Sequence, residues 1–421
     1  MTRIYVGVTD VINKLEWIIV RFNHNDVGSI PLVPKRWASP AISGTLGDMG
    51  SGKTTPGFDA ENPAFNAEEK EQALRAESDS WDTTTSVAAR EGDVPVVDVA
   101  AYFASGALSD LAEAADSLRN ASETVGFHQL IGHGVSRQAI DEIFDFTRRF
   151  HALPLDLKLT IRMDRADWPL AGSGYLPVGE RKLPRREVGN ANEAFLVKSD
   201  RGVGFDQNQW LAEHELPGFR DAVERYSATV TDLALRLLPI YAVALDLPPD
   251  FFAEGFTHPF SRLRLSHYPP AQPRREGDAY GIAPHVDTTF FTLLLQGGPG
   301  LTIYSHERDQ WISVPVVDDA YVVNSGELLR QWSNDRFLST RHYAHNTSAH
   351  NTSAHNTSAH NTSAHNDSAH NDSADRYSIP FFFNATSDYP MECLPSCHGP
   401  DNPPKYPTIS YNQSQGVVQG E

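Results

Sequence analysis

Ala283-Pro284-His285-Val286-Asp287-Thr288-Thr289-Phe290, then Leu338-Ser339-Thr340-Arg341-His342, then Asp375-Arg376-Tyr377-Ser378-Ile379-Pro380: these three runs carry the strongest signal in the sequence. On a β-strand successive side chains alternate faces, so His285 and Asp287 are expected to point the same way, as are Arg376 and Ser378. A His and a carboxylate on one face, joined by His342 from a second strand 57 residues on, form the 2-His-1-carboxylate set. That set holds Fe(II) and leaves coordination positions open for a substrate chelate and O2. An Arg two residues from a Ser supplies a clamp for a carboxylate, because guanidinium binds it through two parallel hydrogen bonds.

Outward from these runs the pattern continues. Gly300-Leu301-Thr302-Ile303-Tyr304, Trp311-Ile312-Ser313-Val314, Val322-Val323-Asn324-Ser325-Gly326-Glu327 and Ser333-Asn334-Asp335-Arg336-Phe337 stand between the first two. Upstream stand Val94-Pro95-Val96-Val97-Asp98-Val99 and Gly126-Phe127-His128-Gln129-Leu130-Ile131-Gly132-His133-Gly134. With these residues the chain, over about 92 to 408, resembles the isopenicillin N synthase-like family of Fe(II)/2-oxoglutarate dioxygenases. The resemblance implies an α+β fold, a double-stranded β-helix (jelly-roll) core flanked by helices. It implies Fe(II) on His285, Asp287 and His342, and 2-oxoglutarate held by Arg376, Ser378 and Tyr268. It also implies O2 as oxidant, ascorbate as reductant, succinate and CO2 as co-products, and a small organic metabolite as substrate. Two departures stand out: Ser266 replaces the family's frequent Asn, and His342-Tyr343-Ala344 replaces the usual His-Arg-Val. Two other classes share these features: an iron oxidase of the same fold that uses no 2-oxoglutarate, and a binding protein whose site is disabled.

The bulk numbers narrow the partners. A length of 421 residues buries a large core, and a formal net charge of −19 argues against a nucleic acid or an anionic membrane. Only Cys393 and Cys397 occur, which gives no disulfide framework and fits a reducing cytoplasmic compartment. No run is read as a membrane span, and Asp10, Asn13, Lys14 and Glu16 occupy the place where a signal peptide needs an apolar stretch. The expectation is a cytoplasmic monomer.

Four segments follow. Residues 1–92, interrupted by Pro31, Pro34, Pro40, Pro56 and Pro63, read as a disordered N-terminal extension. Within them Gly47-Asp48-Met49-Gly50-Ser51-Gly52-Lys53-Thr54 satisfies the Walker A pattern, but Thr55-Pro56-Gly57 stops the helix that a phosphate-binding loop requires. Residues 93–260 carry scaffold helices. Leu108, Leu111, Ala115 and Leu118 form one apolar stripe with Ser109 as cap, and Ala139 to Phe150 form a second. Phe219, Val223, Tyr226, Val230, Leu233 and Leu237 mark the longest helix, which Pro239 should kink or end. Residues 261–410 change to period two. Arg264, Ser266 and Tyr268 share one face of a strand and Leu263, Leu265 and His267 the other. His128 and His133 read as packing or hydrogen-bonding residues. Residues 411–421 are a tail.

One stretch has no counterpart elsewhere in the chain. Ala344-His345-Asn346-Thr347-Ser348 recurs four times in tandem, then Ala-His-Asn-Asp-Ser twice, ending at Ser373. Removing five copies restores ordinary loop spacing, so 344–373 reads as an insertion between the strands of His342 and Arg376. Loop closure costs only about 0.6 kcal/mol per doubling of length, so a barrel tolerates it. The repeat makes His345 a rival to His342; the family spacing favours His342.

Overall fold

The computed structural model describes residues 6–9, 15–18, 86–164, 172–181, 189–199, 207–270, 280–345 and 375–415. The chain divides into two units, Met1–Pro63 and Ala64–Glu421. In the first, the backbone forms an antiparallel hairpin pairing Val6–Thr9 with Leu15–Ile18, elements that the sequence reading left out. The Walker-like string, and the repeat beyond His345, lie outside the described residues.

The second unit is built on two sheets of a jelly roll. The larger has eight strands in the order Val96–Asp98, Phe127–Ile131, Tyr321–Ser325, Phe291–Gln296, Arg376–Asn384, Phe260–Tyr268, Glu193–Ser199 and Gly174–Leu176. The smaller has five: Ser86–Ala88, Gln310–Ser313, Leu301–Ser305, His342–His345 and Tyr280–His285. Ser86–Ala88 pairs in parallel with Gln310–Ser313, so regular structure begins before Val94, where the sequence placed its start. A three-residue edge strand is too short to show periodicity.

Alternation along Phe260–Tyr268 does what period two requires. Leu263 and Leu265 enter the main core, while Arg262, Arg264 and Tyr268 line the space between the sheets. Arg376 pairs in register with Tyr268, and Ser378 with Ser266. In the smaller sheet His342 pairs directly with His285. Register therefore delivers both histidines to one rung of the smaller sheet, and sets Arg376 beside Tyr268 and Ser378 beside Ser266 in the larger.

Outside the larger sheet lies the helix Phe219–Ala244, whose Val223, Val230, Leu233 and Tyr241 are buried. Tyr241 stacks on Phe291 at 4.9 Å between ring centres. This helix continues past Pro239 instead of ending there. A proline inside a helix costs about 3 kcal/mol. Burial of Ile240, Tyr241, Ala242 and Ala244 beyond it offsets that cost, at about 1.5–3 kcal/mol for each large apolar side chain. By length and composition the helix is also apolar enough to cross a membrane, contrary to the sequence reading, but it packs in the core.

The helix Leu108–Thr124 buries Leu111, Ala115 and Leu118 as expected, yet Leu108 is exposed. Its N-cap is Ala107, not Ser109, which falls inside the first turn. Gly126 ends it with φ +74°, where an added Cβ would lie 2.6 Å from the Leu338 carbonyl oxygen. His128 is buried and pushed down to about 3 by desolvation, and His133 bonds the Asp319 carbonyl at 2.8 Å. One packs and the other is hydrogen-bonded, and neither belongs to a cluster of metal-ligand type among the described residues.

Candidate active site

A cavity of about 170 Å³ opens between the sheets, and His285, Asp287 and His342 share its wall with Tyr268, Arg376 and Ser378. One ligand atom from each of the first three lies within 4.8 Å of the others. The route to this grouping differs from strand alternation in one respect. The strand ends at His285, and Asp287 sits in the following turn, fixed where its carbonyl accepts the Glu327 amide at 2.7 Å. The residue before Glu327 is Gly326, whose missing Cβ would stand 2.1 Å from the Thr289 carbonyl oxygen. Close backbone approach, not the pleat, places the carboxylate.

Hydrogen bonds orient all three groups. Thr292 Oγ1 and Asn324 Nδ2 both donate to Asp287 Oδ2, at 2.7 and 3.0 Å. Oδ1 is left facing His285 Nε2 at 3.5 Å and His342 Nε2 at 3.8 Å. Each imidazole places Nδ1 on a backbone carbonyl two residues back, Ala283 for His285 at 2.8 Å and Thr340 for His342 at 3.1 Å. That fixes the tautomer and leaves both Nε2 lone pairs free toward Asp287. Burial, with His285 beside it, pushes His342 down to about 4, so it is neutral near pH 7 and able to donate a lone pair. Burial opposes ionisation of Asp287, but His342, His285 and Asn324 outweigh it and hold the carboxyl below its usual range. Two imidazole nitrogens and one oriented carboxylate oxygen are a donor set that suits a divalent first-row metal with open positions.

Across the cavity, Arg376 is buried at 5% exposure. Its Nε donates weakly to the Gly298 carbonyl at 3.4 Å, its Nη1 has no partner, and its guanidinium lies 4.4 Å from the Tyr268 ring centre. No carboxylate among the described residues forms a salt bridge with it. Tyr268 Oη and Ser378 Oγ are 3.2 Å apart, making one hydroxyl pair beside the guanidinium. Gly300, at φ +130°, lets the chain pass; a Cβ there would come within 3.0 Å of Arg376 Nε. The six residues singled out from sequence are thus brought to one cavity. His345, the rival, stacks on Tyr280 at 5.5 Å between ring centres and stands apart from the His285 group.

Thr292 and Asn324 were not singled out for this role. They pair across adjacent strands, and nothing local marks a hydroxyl and an amide that meet one carboxylate through tertiary structure. Arg181, Arg262 and Arg264 also line the cavity. For Arg262 and Arg264 the signal was present, since both occupy the alternating face that ends in Tyr268.

A jelly roll with an open His/Asp/His set and a buried guanidinium defines the class of non-haem iron oxygenases. Residues 259–385 match the 2OG-Fe(II) oxygenase superfamily, and residues 94–213 match the N-terminal region of non-haem dioxygenases described from morphine synthesis. The chain is 30% identical over 347 residues to the 2-oxoglutarate-Fe(II) type oxidoreductase hxnY of Emericella nidulans, covering 77% of this chain and 91% of that one. It is 33% identical over 258 residues to the 2-oxoglutarate-dependent dioxygenase ecdK of Aspergillus rugulosus, covering 57% and 77%. Among solved structures, a full-length Neurospora crassa protein in complex with alpha-KG superposes with TM-score 0.64 at 22% identity, over 78% of this chain and 98% of that one. The chain belongs to the 2OG-Fe(II) oxygenase superfamily. It is a 2-oxoglutarate/Fe(II)-dependent dioxygenase, an oxidoreductase that uses Fe(II), 2-oxoglutarate and O2.

Proposed function

We propose that His285, Asp287 and His342 hold the iron, that Arg376 with Ser378 and Tyr268 receives the far carboxylate of 2-oxoglutarate, and that the substrate is a small organic molecule of secondary metabolism. The observation that carries this reading is the buried Arg376 guanidinium with an unpartnered Nη1, set across one cavity from the His/Asp/His donors. A buried guanidinium is costly until an anion completes it. When bound, Fe(II) with 2-oxoglutarate and O2 supplies oxidation of a substrate C–H bond, yielding succinate and CO2. The chain's part is positional. Thr292 and Asn324 keep Asp287 Oδ2 occupied so that Oδ1 faces the metal position, and Arg376 fixes the co-substrate's direction.

Several structural neighbours are named with small molecules: the Neurospora crassa protein in complex with thymine, JOX2 in complex with JA, and a rice protein as a dioxygenase for auxin oxidation. These support a small-molecule substrate; the net charge of −19 supports the absence of a nucleic-acid partner. We take the protein to act as a cytoplasmic monomer. Succinate release from 2-oxoglutarate, with Fe(II), ascorbate and a panel of oxidisable metabolites read by mass shift, tests the reading. Substrate oxidation with O2 uptake but no succinate would instead establish the oxidase mode.

A further inference from the structure

The cavity holds more positive charge than its proposed chemistry uses. Arg181, Arg262 and Arg264 line it together with Arg376, whereas Asp287 is the one carboxylate on its wall among the described residues. On formal charges, an Fe(II) ion and Arg376 balance Asp287 and the two carboxylates of 2-oxoglutarate. Three guanidinium groups then remain without a counter-charge among the described residues. Among the described residues none of the three forms a salt bridge.

Their settings show that these are built positions. Arg264 is 3% exposed, and its Nε has no partner. Its other end faces Asn192; with that amide turned so that its oxygen meets the guanidinium, the oxygen accepts from Nη2 at 2.7 Å and the nitrogen donates to the Gly281 carbonyl at 3.1 Å. Desolvation, with Arg181 adding repulsion, pushes Arg264 down to about 9. Arg262 lies over Phe382, 4.5 Å from the ring centre, and Phe382 is its partner in the strand register. Its Nε is likewise without a partner. Arg181 is exposed and stands on the same wall. Like charges facing one low-dielectric space cost free energy that a bound anion recovers. Two guanidinium forks, two residues apart on one strand face, fit the planar geometry of a carboxylate. Ile282, Val286 and Phe382 supply apolar surface beside them.

We propose that the substrate is an organic monocarboxylate on an apolar frame, its carboxylate received by Arg264 and Arg262 with Arg181 alongside, and its reacting carbon turned toward the His285–Asp287–His342 group. This rests on the assignment of Arg376 to 2-oxoglutarate, so the test reads both ligands separately. The protein is loaded anaerobically with Fe(II) and 2-oxoglutarate, which prevents turnover. Binding of 4-phenylbutyrate, its amide, and phenyl phosphate is followed by iron-induced proton relaxation of each probe, at concentrations up to about 10 mM. Affinity for 2-oxoglutarate is read from the visible charge-transfer band.

The acid is expected to bind at least roughly tenfold more tightly than the amide, because charge-assisted pairing is what the site adds. Arg264→Gln and Arg262→Gln should each weaken the acid by roughly tenfold or more while leaving 2-oxoglutarate affinity within about twofold. Arg262 is only partly buried, so its variant carries the test if Arg264→Gln does not fold. Equal binding of acid and amide, tighter binding of the phosphate, no binding of the acid, or an Arg262→Gln protein with undiminished acid affinity would each overturn the inference. If Arg262→Gln instead abolishes 2-oxoglutarate binding and Arg376→Ala spares it, the co-substrate assignment itself is what fails.

Discussion

Two His–carboxylate–His clusters occur among the described residues, one between the sheets and one on the far side of the larger sheet. His285, Asp287 and His342 form the first; His151, Glu193 and His267 form the second, within the same 4.8 Å and more deeply buried. Proximity of two histidines and a carboxylate does not separate them, but their hydrogen bonds do. In the second, Glu193 takes His267 Nδ1 at 2.7 Å and Lys158 Nζ at 2.9 Å, and it also accepts the Tyr175 hydroxyl. His267 Nε2 is spent on Asp375 at 2.8 Å and His151 Nε2 on the Leu265 carbonyl at 3.0 Å. The Lys158 ammonium thus holds Glu193 Oε2, and both nitrogens of His267 are taken by carboxylates. In the first cluster both Nε2 atoms and one carboxylate oxygen face one another, and no Lys or Arg among the described residues pairs with Asp287. Ligand capacity is measured by lone pairs left over, not by which residues are close.

Breaking the open cluster should have the largest effect. His285→Ala or Asp287→Ala is expected to abolish stoichiometric Fe(II) binding, a loss beyond the roughly 100-fold that removing a mere supporting partner can cost. His345→Ala and His267→Ala should bind iron as the wild type does. Fe(II) titration followed by spectroscopy checks all four, and iron uptake by His267 variants falling with that of His285 variants would erase the distinction.

The closed cluster answers in stability. Glu193→Ala strands Lys158, which is 5% exposed, inside the fold, and breaking a buried pair from one side costs about 3–5 kcal/mol. Denaturant unfolding should show that loss with iron stoichiometry intact. Burial works against ionised Glu193, but His151, His267 and Tyr175 hold it below its usual range. Its contribution is therefore present above the ordinary carboxylate range and lost as pH falls through and below it. Wild type and variant should converge in acid; a gap that widens there would reverse the assignment.

Within the open cavity, Arg376→Ala tests the anion side. Removing a charged hydrogen-bonded pair costs on the order of 2–5 kcal/mol, or roughly thirty-fold to several thousand-fold in 2-oxoglutarate affinity. Iron binding should persist, which separates this effect from that of Asp287→Ala.

Much of the open cluster was legible because its residues sit on, or just beyond, strand ends with short motifs: His285-Val286-Asp287, Arg376-Tyr377-Ser378, and the alternating run from Arg262 to Tyr268. Asp287 reached the right place for a different reason than pleating, through a backbone turn beside Gly326. The closed cluster was not legible. Glu193 meets partners from positions 151, 158, 175 and 267, each on a separate element, and no local pattern encodes such meetings. Helix stripes were read well in their buried middles and poorly at their ends. Leu108 carries the right residue type one turn too early, and Pro239 does not end its helix because of the burial beyond it.

Tyr268→Phe should have the smallest effect, and it divides the hydroxyl's role from the ring's. The ring lies under the Arg376 guanidinium, a contact that Phe keeps. Gly281 gives the ring its seat, since a Cβ there would come within 2.5 Å of Tyr268 Cδ1. What the substitution removes is one hydroxyl, 3.2 Å from Ser378 Oγ. If that hydroxyl also donates to the far carboxylate of 2-oxoglutarate, its loss costs about 1–3 kcal/mol, the range for a hydrogen bond to a charged group. The expected result is a 2-oxoglutarate affinity weakened less than in Arg376→Ala, with folding stability nearly unchanged, read from the charge-transfer band and from thermal unfolding. Because Ser378 can turn its own hydroxyl toward the same anion, Tyr268→Phe combined with Ser378→Ala should weaken binding by more than the two single changes together. Strict additivity would mean that the two hydroxyls act apart. Unchanged affinity in the double variant would leave Arg376 as the whole of the anion clamp.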